Sequence, residues 1–128
     1  MKWQSMAGAL ALLAPMALGA AADARAAPPV NVQLEVHFLL GYIEGSGCEF
    51  QRNGSWHDAP AAQAHLRDKF NALVTRDLVQ TTEQFIERAA SESSFSGQPY
   101  LIRCNGGPTT TTSKQWLRDE LARLRSRR

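Results

Sequence analysis

The apolar positions that follow Pro29 fit two periodicities. One set has the i, i+3, i+4, i+7 spacing of a helix, namely Val36, Leu39, Leu40 and Ile43. Every second residue from 30 to 40 is also apolar, which is typical of a strand. The doublet Leu39–Leu40 and the glycine at position 45 favour the helix, because glycine commonly ends one. We therefore predict a helix from Asn31 to about Gly45.

The segment from Cys48 to His57 has the pattern of a β-hairpin. Asn53 and Gly54 stand between two short β-prone arms, and this pair suits the positive φ angles of a type I′ turn. A two-residue loop pairs Arg52 with Ser55 and Phe50 with His57. One face of the hairpin then carries Cys48, Phe50, Arg52, Ser55 and His57. The other face carries Gln51 and Trp56.

Three further helices are indicated by their N-terminal residues. Asp58 is a capping residue, and the pairs Thr81 with Gln84 and Thr112 with Gln115 have the spacing of capping boxes. Each helix has an apolar stripe for the core. The stripes are Ala62, Leu66, Phe70 and Leu73; Phe85, Ile86, Ala89 and Ala90; and Trp116, Leu117, Leu121 and Leu124.

A third strand is predicted from Pro99 to Cys104, with Tyr100, Ile102 and Cys104 on one side. The glycines and threonines from 105 to 112 are expected to form a loop. The order of elements predicts a small α+β domain, in which about four helices pack on a two- to three-stranded antiparallel sheet containing the Asn-Gly hairpin. Residues 27–128 are long enough for one such domain.

Residues 1–26 have the pattern of a cleaved signal peptide. Lys2 precedes an uncharged run, and small residues follow, so cleavage is expected after Ala26, with Ala22 as the alternative. An uncleaved anchor is disfavoured, because the run is rich in alanine and interrupted by Pro15 and Gly19. We expect a periplasmic protein with no stable membrane anchor after cleavage.

The charge of the remaining chain is nearly balanced. Cleavage after Ala26 removes two of the 14 basic and one of the 12 acidic residues, which leaves a net charge of +1. A nucleic-acid partner is not expected, because such proteins carry a strongly basic surface. The exception is the C-terminus, where Arg123, Arg125, Arg127 and Arg128 either form a solvated helix end or a patch for an anionic lipid or polysaccharide.

The two cysteines, Cys48 and Cys104, are predicted to form a disulfide, because an exported protein folds in an oxidising compartment. On the chain-entropy argument, closing this loop stabilises the fold by about 4 kcal/mol. Metal binding by these cysteines is disfavoured, since no histidine pair lies near them. A catalytic thiol is disfavoured because oxidation would consume it.

Several short motifs resemble the YfeK-like family of small exported bacterial proteins. These motifs are residues 50–54 (FQRNG), 65–69 (HLRDK), 82–86 (TEQFI) and 96–100 (SGQPY). Their order and spacing are similar from about Gly41 to Leu121. The resemblance implies a periplasmic location and a domain of unknown function, with no activity or ligand to carry over.

The candidate site residues are Arg52, His57, His65, Lys69 and Tyr100. His65 and Lys69 are four residues apart on one helix, which suits a general base beside a cation. The structural alternative is a histidine at the edge of the core with its lysine extended to solvent. Arg52 can either pair with a carboxylate such as Glu120 or bind an anionic ligand, and we favour the pair.

No cofactor or metal is expected. His57 and His65 lack the spacing of a metal pair with a third ligand, and no glycine-rich phosphate loop is present. The favoured function is non-enzymatic binding of an envelope protein or envelope component, through the hairpin face and the arginine-rich end. The alternative is a small periplasmic hydrolase that uses His65 with Arg52, Lys69 or Tyr100. Convergence of the candidate residues on one pocket would favour the enzyme.

Overall fold

The structure is a computed structural model that describes residues 27–128; the predicted signal peptide lies outside these residues. Four helices and a four-stranded antiparallel sheet make up the described part. The elements are α1 (Val30–Glu44), β1 (Glu49–Arg52), β2 (Ser55–His57), α2 (Ala59–Val74), α3 (Thr82–Ala89), β3 (Leu101–Arg103), β4 (Thr111–Thr112) and α4 (Ser113–Ser126). The predicted α+β class is confirmed.

The sheet has the order β2-β1-β3-β4, one strand more than the sequence predicts. The additional strand lies in the segment expected to be a loop. Thr111 pairs with Ile102 and Thr112 with Leu101. Two threonines carry no strand periodicity of their own, so their pairing depends on β3 lying beside them.

The helical interpretation of the first apolar segment is confirmed. Leu39 and Leu40 are both buried in α1, at 0% and 3% exposure. A strand would direct two consecutive side chains to opposite faces, so only a helix lets this doublet enter one core. Two apolar residues of the same segment, Val30 and Leu34, remain exposed on the outer face of α1.

The hairpin has the register that the sequence predicts. Phe50 pairs with His57 and Arg52 with Ser55, which leaves Asn53 and Gly54 as the two-residue loop. Both have positive φ, 50° and 83°, as a type I′ turn requires. The loop therefore directs Phe50, Arg52 and His57 toward the helices.

The three predicted helix caps are present, but the two capping boxes are incomplete. Asp58 accepts a hydrogen bond from the Ala61 N–H at 2.8 Å. The Thr81 and Thr112 hydroxyls accept from the third residue of their helices, at 3.1 and 3.2 Å. In a complete capping box the glutamine side chain also accepts from the backbone N–H of the capping threonine. The two glutamines have other partners here. The Gln84 side chain accepts from the Gln80 N–H, and the Gln115 side chain donates to Asp119.

The predicted apolar stripes lie against one core between the helices and the inner face of the sheet. Most are buried; Ala62, Leu73, Trp116 and Leu124 are only partly so. Cys48, before β1, and Cys104, after β3, form the predicted disulfide, with their Cα atoms 4.2 Å apart. The bridge joins two neighbouring strands beyond their last paired residues, Glu49 and Arg103.

The arginine-rich C-terminus forms ion pairs, which differs from the expectation of a solvated helix end. Arg125 and Arg128 both bind the carboxylate of Glu35 on α1, and Arg125 also binds Glu83 on α3. Arg123 pairs with Glu120 on its own helix. Most of the positive charge at this end therefore neutralises carboxylates of the same molecule.

Candidate functional site

An open cleft of about 290 Å³ lies between α2 and the inner face of the sheet. Its polar lining is Gln51, Arg52, His57, His65, Asp68, Tyr100 and Ser113, and its apolar lining is Phe50, Ala61, Ala62 and Leu66. The volume is close to the lower end of the usual range for ligand pockets, roughly 300 to 1,000 Å³. Four of the five residues singled out from the sequence line this cleft, and the fifth, Lys69, contacts one of them.

The sheet register explains why three polar residues meet on one side of the cleft. Continuing the β1–β3 pairing by one residue places Arg52 opposite Tyr100. Continuing the β3–β4 pairing places Tyr100 opposite Ser113, and the Ser113 N–H donates to the Tyr100 carbonyl at 2.9 Å. Arg52, Tyr100 and Ser113 therefore form one row across three strands, which we call the polar row.

The other side of the cleft is α2, where helical spacing places His65 and Lys69 beside the same hydroxyl. The His65 Nε2 lies 3.2 Å from the Tyr100 Oη. The Lys69 ammonium donates to that oxygen at 3.1 Å and to the Glu92 carbonyl at 3.0 Å. The ammonium also lies 5.0 Å from the centre of the Tyr100 ring. The two helical residues and the tyrosine are thus one hydrogen-bonded group.

The surroundings of His65 lower its pKa below the ordinary value of 6.5. Burial is the largest cause, because it disfavours the charged imidazolium. The positive charges of Arg52 and Lys69 act in the same direction, and the carboxylate of Asp68 opposes them. At neutral pH His65 is therefore a neutral imidazole, able to accept one hydrogen bond and donate another.

Burial also shifts the pKa values of the two partners of His65. It lowers the pKa of the Lys69 ammonium and raises the pKa of the Tyr100 hydroxyl. Tyr100 thus keeps its proton at neutral pH. Because its oxygen already accepts from Lys69, the remaining O–H satisfies all three groups when it donates to the His65 Nε2.

The favoured pairing of Arg52 with Glu120 is wrong. Glu120 is buried at 4% exposure and accepts from Arg123 at 2.8 Å. The Arg52 side chain makes no hydrogen bond or ion pair within residues 27–128, and it lines the cleft. Period-two alternation placed its side chain on the correct face, but the identity of a partner on another element depends on how α4 crosses the sheet. Arg52 is therefore an uncommitted cation at the cleft.

His57 is the hairpin's contribution to the cleft. It is half-buried at the end of β2 and lies near enough to His65 to lower the pKa of that imidazole slightly. No group of three or more histidine, cysteine, aspartate or glutamate side chains within residues 27–128 is arranged to hold a metal ion.

Ser113 is the residue that sequence reasoning missed. It is fully buried, lines the cleft, and its Oγ makes no hydrogen bond to any residue of the described chain. Its position directly after the Thr112 cap identified it only as the first residue of a helix. No feature of the neighbouring sequence distinguishes a serine in the first helical turn that faces solvent from one that faces a cleft.

These features define a small α+β domain with a polar cleft between a helix and the inner face of its sheet. Residues 30–125 match the family of unknown function DUF5329, and the chain belongs to that family. A segment of 51 residues is 47% identical to "Uncharacterized protein YfeK" of Salmonella typhimurium strain LT2. This segment covers 40% of the present chain and 41% of that relative.

The YfeK-like resemblance is therefore confirmed. The match spans less than half the length of the curated relative. No solved structure matches the chain significantly. Within residues 27–128, no helix has the length and apolar character needed to cross a membrane.

Proposed function

We propose that this chain is a small exported protein of the cell envelope whose cleft binds a small molecule without converting it. The observation that carries the proposal is the Arg52 side chain, which faces the cleft without a partner among the described residues, while His65 and Tyr100 are bonded to each other. A concave site with an apolar wall and a few converging polar groups is the usual form of a ligand pocket.

Export is supported by two independent features of the chain. Residues 1–26 have the composition of a cleavable leader. Cys48 and Cys104 are bridged, and disulfides persist mainly in oxidising compartments such as the periplasm. Both features agree with a ligand from the cell envelope.

The cleft is a better candidate for recognition than the arginine-rich end of α4. Arg125 and Arg128 are held by the buried carboxylate of Glu35, so their charge is largely neutralised within the molecule. Arg52, by contrast, faces the cleft without a carboxylate partner among the described residues. An uncommitted guanidinium beside the neutral side chains of His65 and Tyr100 is suited to an anionic or strongly polar ligand.

The experiment is native mass spectrometry of the protein purified from the periplasm without denaturation. We expect an added mass that disappears on denaturation and is reduced in Arg52→Gln. Arg76→Gln is the matched control, because Arg76 is exposed in the turn that follows α2 and does not line the cleft. Protein without any bound molecule under gentle conditions, from cells grown in several media, would count against the proposal.

A second candidate function, a hydrolase, is favoured by the convergence of the candidate residues on one cleft and by the neutral state of His65. A neutral imidazole can serve as a general base, and Tyr100 could donate a proton. The geometry supports it less well. His65 is bonded to Tyr100, and the Ser113 Oγ has no hydrogen-bond partner in the described chain, so it is not paired with His65. A paired nucleophile and base is the usual sign of this chemistry.

Turnover of p-nitrophenyl esters separates the two functions. A hydrolase would release p-nitrophenolate faster than buffer, and His65→Gln would abolish the excess. His37→Gln is the control, since His37 lies on α1 away from the cleft. We expect no excess over buffer in the wild type.

A further inference from the structure

The buried hydroxyl of Ser113 is the feature of the cleft that the structure leaves without a partner. Its residue is 0% exposed, and its Oγ alone among the buried side-chain polar atoms of residues 27–128 lacks a hydrogen bond. Buried polar groups are almost always hydrogen-bonded, and an exception needs an explanation. Because Ser113 lines the cleft, a group that enters the cleft can supply the missing bond.

Ser113 also marks the positive end of a helix. It is the first residue of α4, which runs for 14 residues, and Thr112 is its N-cap. The N-terminus of a helix carries partial positive charge and attracts anions. The hydroxyl and the helix end therefore favour the same kind of ligand group, one that accepts hydrogen bonds and is negatively charged.

The polar row adds a full positive charge near this point. Arg52 and Ser113 lie on either side of Tyr100, two strand spacings or about 10 Å apart at the backbone. The long arginine side chain and an anion between the two residues can span this distance. A carboxylate suits the position, because a guanidinium binds it with two parallel hydrogen bonds.

The other residues that line the cleft limit the size and the charge of the rest of the ligand. Phe50, Leu66 and two alanines form an apolar wall, and the volume of about 290 Å³ holds a compact group such as a single ring. Asp68 lies on the α2 side of the cleft, so its carboxylate repels a second anion there. A monoanion with its charge at the polar row fits both features.

We propose that the cleft binds a small apolar monocarboxylate, with the carboxylate held between the Arg52 guanidinium and the Ser113 hydroxyl at the N-terminus of α4. This inference rests on the proposed binding function of the cleft and specifies its ligand class. The apolar body of the ligand lies against Phe50 and Leu66.

The test uses benzoate and its neutral counterpart benzamide as probes, followed by two-dimensional NMR of the oxidised protein. We expect benzoate in the millimolar range to shift the amides of Arg52, Tyr100 and Ser113. Its affinity should exceed that of benzamide at least tenfold. Arg52→Gln and Ser113→Ala should each weaken benzoate binding at least fivefold.

Ser113→Ala also has an effect on stability that a purely structural serine would not show. Removing an unpartnered buried hydroxyl should leave the melting temperature of the free protein unchanged or raise it. The matched control is Ser94→Ala, an exposed serine that does not line the cleft. A lower melting temperature with unchanged benzoate affinity would overturn the role given to Ser113.

The outcomes also separate this inference from the proposed function. Equal affinity for benzoate and benzamide at the cleft would overturn the carboxylate assignment and leave the binding function standing. The carboxylate assignment is also overturned, and the binding function stands, if neither probe binds but native mass spectrometry finds a bound molecule that is lost in Arg52→Gln. If neither probe binds and no molecule is found, both proposals are wrong.

Discussion

Glu35 on α1 and Arg125 on α4 lie 90 residues apart in the sequence and form a two-pronged ion pair. Both bonds, Nε to Oε2 and Nη2 to Oε1, measure 3.0 Å. The Thr82 hydroxyl donates to the same carboxylate at 2.6 Å, and Arg128 donates at 2.7 Å. Since Glu35 is only 2% exposed, these bonds replace the water it loses on folding and connect the first helix to the last.

The Glu35 cluster should make stability depend on acid pH. The hydrogen bond from Arg125 is the main reason that the pKa of Glu35 falls from 4.5 to about 2. A carboxylate with a lowered pKa in the folded state contributes its full stability above its unfolded value, here 4.5. That contribution is lost as the pH falls from 4.5 to about 2. The measurement is urea unfolding at a series of pH values.

Glu35→Gln should remove this part of the pH dependence and lower the free energy of unfolding at pH 7 by about 1 to 3 kcal/mol. The two arginines are half-exposed and can rehydrate, which keeps the loss moderate. Glu44→Gln, at an exposed position at the end of α1, is the control. Identical acid profiles for Glu35→Gln and the wild type would show that the ion pair does not stabilise the fold.

The electrostatics of the cleft predict opposite effects of two neighbouring charges on His65. Arg52 lowers its pKa and Asp68 raises it. Arg52→Gln should therefore raise the pKa of His65, and Asp68→Asn should lower it further. NMR titration of the imidazole C–H signals measures both, with Arg76→Gln as a distant control. Shifts of the same sign in the two cleft variants would contradict the described arrangement.

The disulfide should contribute strongly to stability. Cys48 and Cys104 close a loop with a sequence separation of 56. Replacing both with alanine should lower the free energy of unfolding by about 2 to 4 kcal/mol in urea. Intact-mass measurement with and without reductant should differ by two hydrogens for the protein recovered from the periplasm. Free thiols in that material would show that the bridge does not form in the cell.

Processing of the leader has a direct test. Intact mass and N-terminal sequencing of the protein from a periplasmic fraction should give a chain that begins at Ala27, after the small residues at 24 and 26. Cleavage at the alternative position, after Ala22, would give a chain that begins at Asp23, and the two products differ in mass by four residues. Recovery of the uncleaved chain from membranes would contradict export as a released protein.

Much of the secondary structure could be predicted because its signals are local. The doublet Leu39–Leu40 determined the helical interpretation of α1, and the Asn53–Gly54 pair determined the hairpin register. The strand β4 could not be predicted, because its two threonines extend only through pairing with β3. The capping boxes were predicted correctly for the threonine bonds and wrongly for the glutamine bonds, because a long side chain in the first turn has several donors and acceptors within reach.

The candidate site also combines features that local spacing predicts with features that depend on tertiary packing. Helical spacing placed His65 beside Lys69, and strand alternation placed Arg52 on the inner face, so these residues were identified from the sequence. The meeting of both sets at one cleft depends on how α2 packs against β1 and against Tyr100, which precedes β3. The pairing of Arg52 with Glu120 was wrong, because Glu120 lies on α4 and accepts from Arg123, three residues away on the same helix.

The sequence by itself determined the four helices, the hairpin, the disulfide partners and the five candidate residues, because each depends on spacing along the chain or on the number of cysteines. The tertiary structure alone decided that Glu35 binds Arg125, that Ser113 faces the cleft, and that Arg52 stays unpaired among the described residues. These contacts join residues from different elements. Their formation depends on how the helices pack against the sheet, and no local pattern encodes that packing.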